Sequence, residues 1–293
     1  MSTLGSKVVL ITGATDGLGK RVAHDLAMRG VTILLHGRDQ EKGETVLREI
    51  EESTGHHGLT YYNADFSSLD AVRRLADRIQ ADHERLDVLI NNAGIGTGRR
   101  RSPREVSADG YELRFAVNYL APFLLTYRLL PLLRRSAPAR IINVSSAGQA
   151  PIDFDDVMLE RGYNGRRAYG QSKLAQVMFT FDLAEELAGS GITINCLHPA
   201  TLMNTKMVRE SDHFGSPMTT VEEGAEAVEY LALSSKLEGV TGEYFEGKQP
   251  ARADPQAYDL EARRRLHVLS EQWAGLKESG ERTESLSTGE WQH

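Results

Sequence analysis

A single cysteine, Cys196, stands among the 293 residues. That excludes an internal disulfide framework and any metal site built from several thiolates. The thiol falls in the apolar strand-like run Ile192–Leu197, which suits a small buried side chain better than a nucleophile. Basic stripes interleaved with aromatics are missing and the net charge of −7 is spread along the chain, so no nucleic-acid partner is expected. No apolar run approaches the roughly 20 residues of a membrane span. A strand entered by about Lys7 leaves no room for a signal peptide. The expectation from these absences is a soluble, cytoplasmic protein without a resident metal.

What is present is alternation. Strands are predicted at Lys7–Thr12, Thr32–His36, Leu59–Asn63, Leu86–Asn91, Arg140–Ser145, Ile192–Leu197 and Glu243–Phe245. Helical patterns fall between them at Gly17–Met28, Gln40–Glu52, Ser68–His83, Gly110–Arg135 (bent or divided near Pro122), Ala168–Ala188 and Val221–Leu233. Runs such as Val8–Ile11 and Ile141–Val144 are apolar on both faces, as parallel strands covered by helices require. The reading is an α/β, Rossmann-type, doubly wound parallel sheet of about seven strands, with helices on both faces, in one domain. That domain spans about 1–250, and 251–293 forms a C-terminal extension with a helix near 256–276 and then a disordered tail.

Val8-Val-Leu-Ile-Thr-Gly13-Ala-Thr-Asp-Gly17-Leu-Gly19 is a strand, a glycine-rich turn and a helix start. Such a turn lets a pyrophosphate approach backbone N–H groups at a helix N-terminus. Gly13, Thr15, Asp16, Gly17, Leu18 and Gly19 are therefore candidate dinucleotide contacts. The second strand ends His36-Gly37-Arg38-Asp39. An acid there would hold a ribose 2′-hydroxyl, whereas arginine accommodates a 2′-phosphate. The usual acidic position is Gly37 with Arg38 next, which favours NADP(H) over NAD(H); Asp39 dissents, but it also suits capping the next helix. Asp65 and Phe66, after the third strand, are candidates for the adenine side, with helix N-capping an equal alternative for Asp65. Asn92, Ala93 and Gly94 end the fourth strand with residues small enough for a flat ligand to approach.

Tyr169 and Lys173 stand four apart where a helical apolar pattern begins, so they share a face about 5–6 Å apart. A free phenol titrates near ~10. One positive charge at ~4 Å in an effective dielectric of ~20 contributes about 4 kcal/mol, enough to lower that pKa by about three. The pair is thus a candidate proton donor and acceptor for a carbonyl and its alcohol. Tyr244 and Lys248 repeat the spacing, but in a strand and turn whose side chains need not converge.

Taken in order, Thr12-Gly13-x-x-x-Gly17-x-Gly19, Asn91-Asn92-Ala93-Gly94, Asn118, Ser146 and Tyr169-x-x-x-Lys173 strongly resemble the short-chain dehydrogenase/reductase family over about residues 5–250. The resemblance implies a tetrad of Asn118, Ser146, Tyr169 and Lys173, with Ser146 chosen over Ser145. It implies hydride transfer between a nicotinamide and a carbonyl or secondary alcohol, with Lys173 also on the nicotinamide ribose and Asn118 positioning a water. Pro199, Thr201 and Leu202 fall in a segment resembling the turn that contacts the nicotinamide amide, with Ala200 in place of its glycine and Thr205 one residue later than usual; the contact is left open between Thr201, Leu202 and Thr205. Residues 199–217 would form a lid with Met207, Val208 and Phe214 toward the pocket. Tyr169 follows Ser146 by 23 residues, about ten more than in many members, which resembles the retinol dehydrogenase-like branch. The insert, with Phe154, Met158 and Tyr163, is expected beside a pocket for a small, lipophilic or natural-product-like substrate. Epimerisation or dehydration through a transient ketone, or cofactor binding without catalysis, are the alternatives. Relatives pair into homodimers or homotetramers, and the C-terminal extension could cover such an edge.

Overall fold

The computed structural model describes residues 4–212 and 216–276. Strands β1 (Val8–Ile11), β2 (Thr32–Gly37), β3 (Leu59–Asn63), β4 (Val88–Asn91), β5 (Ala139–Val144), β6 (Ile192–His198) and β7 (Tyr244–Glu246) are parallel neighbours in the order 3-2-1-4-5-6-7. An eighth strand, β8 (Gln249–Pro250), adds antiparallel to the β7 edge and brings the sheet to eight strands rather than about seven. Two residues, one a proline, carry no alternation to detect, and proline is tolerated there because the outer edge needs no further N–H.

Alternation along each strand divides the interior into two cores. Val9 and Ile11 of β1 face the core beneath α1 (Gly17–Ala27), α2 (Gln40–Thr54) and α8 (Val221–Leu233), whereas Val8 and Leu10 face the other. That second core lies under α3 (Leu69–Asp82), α5 (Ala121–Arg135) and α6 (Gly165–Glu186).

The pattern at Gly110–Arg135 is one rod, Leu113–Arg135, made of α4 (Leu113–Phe115), a π-helical turn (Ala116–Leu120) and α5. The irregularity lies in the π turn that carries Asn118, with Pro122 in the first turn after it. This rod corrects the expectation that no segment is apolar enough to span a membrane. By length and composition it would suffice, but 78% of its most apolar window is buried in the protein, making it a core helix.

The extension closes this core. A 3-10 turn at Pro255–Tyr258 leads to α9 (Leu260–Ala274), whose Ala262, Leu266 and Ala274 join the apolar cluster. Ser270 Oγ meets Tyr119 Oη at 2.7 Å, and Arg73 donates to Ala274 O at 2.7 Å. The predicted disordered tail lies outside the described residues. Arg263, buried, donates to Asp182 Oδ1 at 2.6 Å and Glu185 Oε1 at 2.5 Å on α6. Removing one partner of a mostly buried pair strands the other charge. Arg263→Ala is expected to cost about 2 kcal/mol, read as a lower midpoint in urea unfolding, while Arg264→Ala on the exposed face leaves it unchanged within error.

Candidate active site

Asn164 caps α6 by accepting from Arg166 N and Arg167 N. From Ala168 onward the helix is buried on nearly every side, which carries Tyr169 and Lys173 into the interior at 7% and 4% exposure. Tyr169 is hydrogen-bonded to Ser146, whose Oγ also accepts from Gly148 N at 3.0 Å. Ser145 turns the other way and donates to Lys173 O at 2.8 Å. The two serines thus divide the work: one meets the phenol, the other fastens α6 to the end of β5. Lys173 Nζ donates to Val144 O and to Gln176 Oε1, both at 2.9 Å, and lies 5.8 Å from the centre of the Tyr169 ring.

Asn118 reaches the same place from the π turn. Its amide donates to Ile95 O at 3.1 Å and Ser172 Oγ at 2.9 Å and accepts from Ile95 N at 2.8 Å. A Cβ on Gly94 would lie 3.2 Å from Asn118 Oδ1 and 3.7 Å from Lys173 Nζ. Asn118, Ser146, Tyr169 and Lys173 therefore gather at the carboxyl ends of β4 and β5. The decoy pair separates: Tyr244 is buried and donates to Ser146 O at 3.3 Å, while Lys248 pairs with Glu226 at the surface.

The electrostatics correct one expectation. Burial raises the Tyr169 pKa, opposed by the bond to Ser146, and burial lowers Lys173 to about 7. The ammonium is aimed at Val144 O and Gln176 rather than at the phenol oxygen, and desolvation outweighs the simple Coulomb sum. Cys196, buried, has its thiol pushed up to about 12, which suits a core side chain.

The glycine turn is tied to the end of β4. Thr12 Oγ1 accepts from Asn92 N at 2.9 Å and Ala93 N at 3.0 Å, and Asn92 Nδ2 donates to Thr12 O at 2.8 Å. Gly13 takes φ +66°, and a Cβ there would stand 2.7 Å from Ala93 Cα. Asp16 caps α1 by accepting from Gly17 N at 2.8 Å and pairs with Lys42 at 2.8 Å, which holds its carboxyl below the usual range. Leu18 and Phe66 send their side chains into buried positions, so only their backbone could serve a ligand. Gly19 lies in the first turn of α1. This close-packed turn and helix N-terminus fit a dinucleotide pyrophosphate.

At the end of β2, a Cβ on Gly37 would fall 2.5 Å from Thr15 Cγ2 and 3.0 Å from Tyr61 Oη. A side chain there would have to displace Thr15 or Tyr61, and exposed Arg38 follows. Asp39 caps α2 by accepting from Lys42 N at 3.0 Å. Asp65 caps no helix: it accepts from Ser67 N at 2.9 Å, and Ser68 is the cap of α3.

The segment after β6 folds back over the groove. Pro199 is buried, while exposed Thr201 is tied to His198 at 3.1 Å and accepts from Thr219 at 2.7 Å. Leu202 takes φ +48° and its carbonyl accepts from Met218 N. Thr205, not Thr201, stands against the glycine turn, 3.3 Å from where a Gly17 Cβ would be. Met207, in the short α7 (Lys206–Arg209), covers Gly96. Phe214 lies outside the described residues. Of the insert, Phe154 and Met158 pack on the core, whereas Tyr163 meets a buried ion pair, with Arg114 Nη1 2.5 Å and Glu112 Oε1 3.1 Å from its hydroxyl. Among the described residues no group of three or more His, Cys, Asp or Glu is placed to hold a metal.

The sequence pattern of the family described as short chain dehydrogenase matches residues 7–214. Retinol dehydrogenase 13 of Homo sapiens is 40% identical, over 97% of this chain and 89% of its own. Retinol dehydrogenase 12 of Homo sapiens is 37% identical, over 94% and 88%. Among solved structures, an uncharacterised protein of Mycobacterium paratuberculosis superposes with a TM-score of 0.75 at 31% identity, covering 92% of this chain and 94% of that one. The active-site complex of Pseudomonas aeruginosa RhlG with NADP gives 0.66 at 28% identity, covering 84% and 97%.

Thr12, part of the glycine motif, has a second role as the tie to β4, and two residues that motif reading passed over also matter here: Gln176 as the partner of Lys173, and His36. Neither belongs to a spaced motif. His36 stacks on Phe66 at 4.2 Å, its Nδ1 accepts from Gly13 N at 3.3 Å, and its Nε2 donates to Ala64 O at 3.0 Å. That tautomer is neutral, and burial holds the His36 pKa down to about 4. A depressed histidine contributes stability that is full above the unfolded pKa, near 6.5, and is lost as pH falls toward the folded one. Unfolding free energy is expected to drop by up to about 3 kcal/mol between those limits from this group. In His36→Gln the slope of stability against pH over that window should be shallower by one proton; equal slopes in denaturant titrations would refute the assignment.

Proposed function

The chain belongs to the short-chain dehydrogenase/reductase family, and on that premise we propose an NADP(H)-dependent oxidoreductase interconverting a carbonyl and a secondary alcohol on a small, lipophilic substrate. The observation that carries this reading is the convergence of Ser146, Tyr169, Lys173 and Asn118 beside the glycine turn. When bound, the nicotinamide supplies hydride to the carbonyl carbon or accepts it from the alcohol. Tyr169 delivers its phenolic proton to the oxygen in reduction and takes it back in oxidation. Ser146 donates a hydrogen bond to that oxygen as charge develops on it. Lys173, when protonated, favours the phenolate and would hold the nicotinamide ribose; Asn118 holds the loop at Ile95 against the site.

The choice of NADP(H) rests on the crowding at Gly37 and the exposed guanidinium of Arg38 beside it. Gly13, Thr15, Asp16, Gly17, Gly19, Asp65, Asn92, Ala93 and Gly94 would line the dinucleotide, with Thr205 joining Pro199, Thr201 and Leu202 on the nicotinamide side. A lipophilic substrate is favoured by relatives that are retinol dehydrogenases and by the apolar Ile95 and Met207 near the groove. A panel of ketones, aldehydes and alcohols, retinoids included, read at the NADPH absorbance band, tests the activity.

In that assay Tyr169→Phe should lose about three orders of magnitude in kcat, with NADPH affinity by fluorescence within threefold of the parent. Retention of more than a tenth of the activity would remove Tyr169 from the chemistry. The cofactor argument separates two neighbours. Arg38→Asp should weaken NADPH at least tenfold relative to NADH, whereas Gly37→Asp should weaken both alike, because its side chain strikes Thr15 and Tyr61. A clean switch to NADH in Gly37→Asp would contradict the steric argument.

A further inference from the structure

We propose that Gln176 is a positioning residue that sets the protonation of Lys173, through an amide able to serve either charge state of the amine. The inference deepens the functional reading and rests on its placement of Lys173 beside the reacting phenol.

Lys173 and Gln176 stand three apart on α6, both buried, at 4% and 1% exposure. The ammonium donates to Val144 O and to Gln176 Oε1, each at 2.9 Å. These two acceptors differ in kind. Val144 O is a backbone carbonyl fixed in β5 and can only accept. Gln176 carries both an acceptor and a donor, and its Nε2 has no hydrogen-bond partner among the described residues although it is buried. A half-turn of the amide would offer that N–H to the lone pair of a neutral amine. A buried amide N–H without a partner is costly, so its retention next to the lysine calls for a use. Exchange between the two orientations provides one.

The surroundings leave the task to Gln176. Among the described residues, Tyr169, one turn earlier on α6, is the titratable group facing Lys173. Asn118 from the π turn and Ser145 and Ser146 from the end of β5 are neutral, as is the Tyr244 phenol behind Ser146. Burial alone depresses the lysine, to about 7, with no neighbouring charge contributing. Both protonation states are therefore accessible at working pH, and a two-way partner keeps each one satisfied. An ammonium with one acceptor fewer in a dry interior gives up its proton more readily.

The test reads the lysine directly. Protein labelled with [ε-¹³C]lysine shows the Lys173 resonance, identified by its loss in Lys173→Arg, and its shift against pH gives the titration midpoint. Gln176→Met, of similar length but without the acceptor, should lower that midpoint by about one pH unit or more. Gln176→Glu should raise it by a similar amount. In the Met variant the alkaline rise of alcohol oxidation should also move to higher pH, because a neutral lysine no longer favours the phenolate. Midpoints unmoved in either folded variant would overturn the proposal. So would losses of stability and activity equal at every pH. A parent protein that turns over no carbonyl or alcohol would defeat the functional reading alone, since the carbon-13 titration needs no turnover.

Discussion

An amine held out of water at the junction of β5 and α6 is the constraint around which this molecule is arranged. Desolvating a charge is expensive unless neutral acceptors surround it, and here the acceptors come from the fold itself. Val144 O is left over where β5 stops pairing, Gln176 Oε1 arrives one helical turn later, and Ser145 grips the backbone of Lys173 from the strand. None of these is charged. The ammonium is therefore tolerated rather than locked, which is the condition under which it can bias a neighbouring phenol and still exchange its own proton.

Holding the strand ends in register is the complementary requirement. Asn91 of β4 faces Asn143 of β5, and their amides bond at 2.9 Å; Asn143 continues to Thr180 of α6 at 2.9 Å, and Asn91 to Thr126 of α5 at 3.0 Å. This buried polar ladder joins the two strands that carry the site to the two helices that cover them. On the cofactor side, Thr12, Asn92 and His36 do the equivalent work with neutral hydrogen bonds. Rigid backbone at both ends lets a phenol, a serine and a glycine turn from distant parts of the chain occupy one small volume.

How much of this could be read beforehand follows from range. Run length and hydrophobic period are local signals, so β3 and α8 were bounded to the residue and the other long elements to within a few. Tyr169 and Lys173 were legible because helical geometry is local. The charge balance between them was not, because desolvation depends on what covers α6 from elsewhere in the chain. The same holds for Asp65, whose side chain was free to cap or to turn until Ser68 took the cap. That Thr205 stands against the glycine turn while Thr201 bonds to His198 and Thr219 was hidden for a similar reason, since these are contacts that no spacing rule encodes.

The two additions to the basic sheet, the insert after Ser146 and the tail after β8, are best understood together. Ile152 exchanges paired hydrogen bonds with the Gln256 amide, at 2.6 and 3.1 Å, and Gln149 accepts from Asp254 N at 2.9 Å. Arg265 of α9 lies 4.9 Å over the Phe154 ring. Gln149 also donates to Ser146 O at 2.9 Å, so the tail is two bonds from the serine that meets Tyr169. A long insert beside a reaction centre would ordinarily be a mobile loop. Here it is clamped from behind by a helix that shares the α6 core, which allows the wall next to Ser146 to be longer than in a minimal scaffold without becoming loose. The tail thereby acts on the site through the insert.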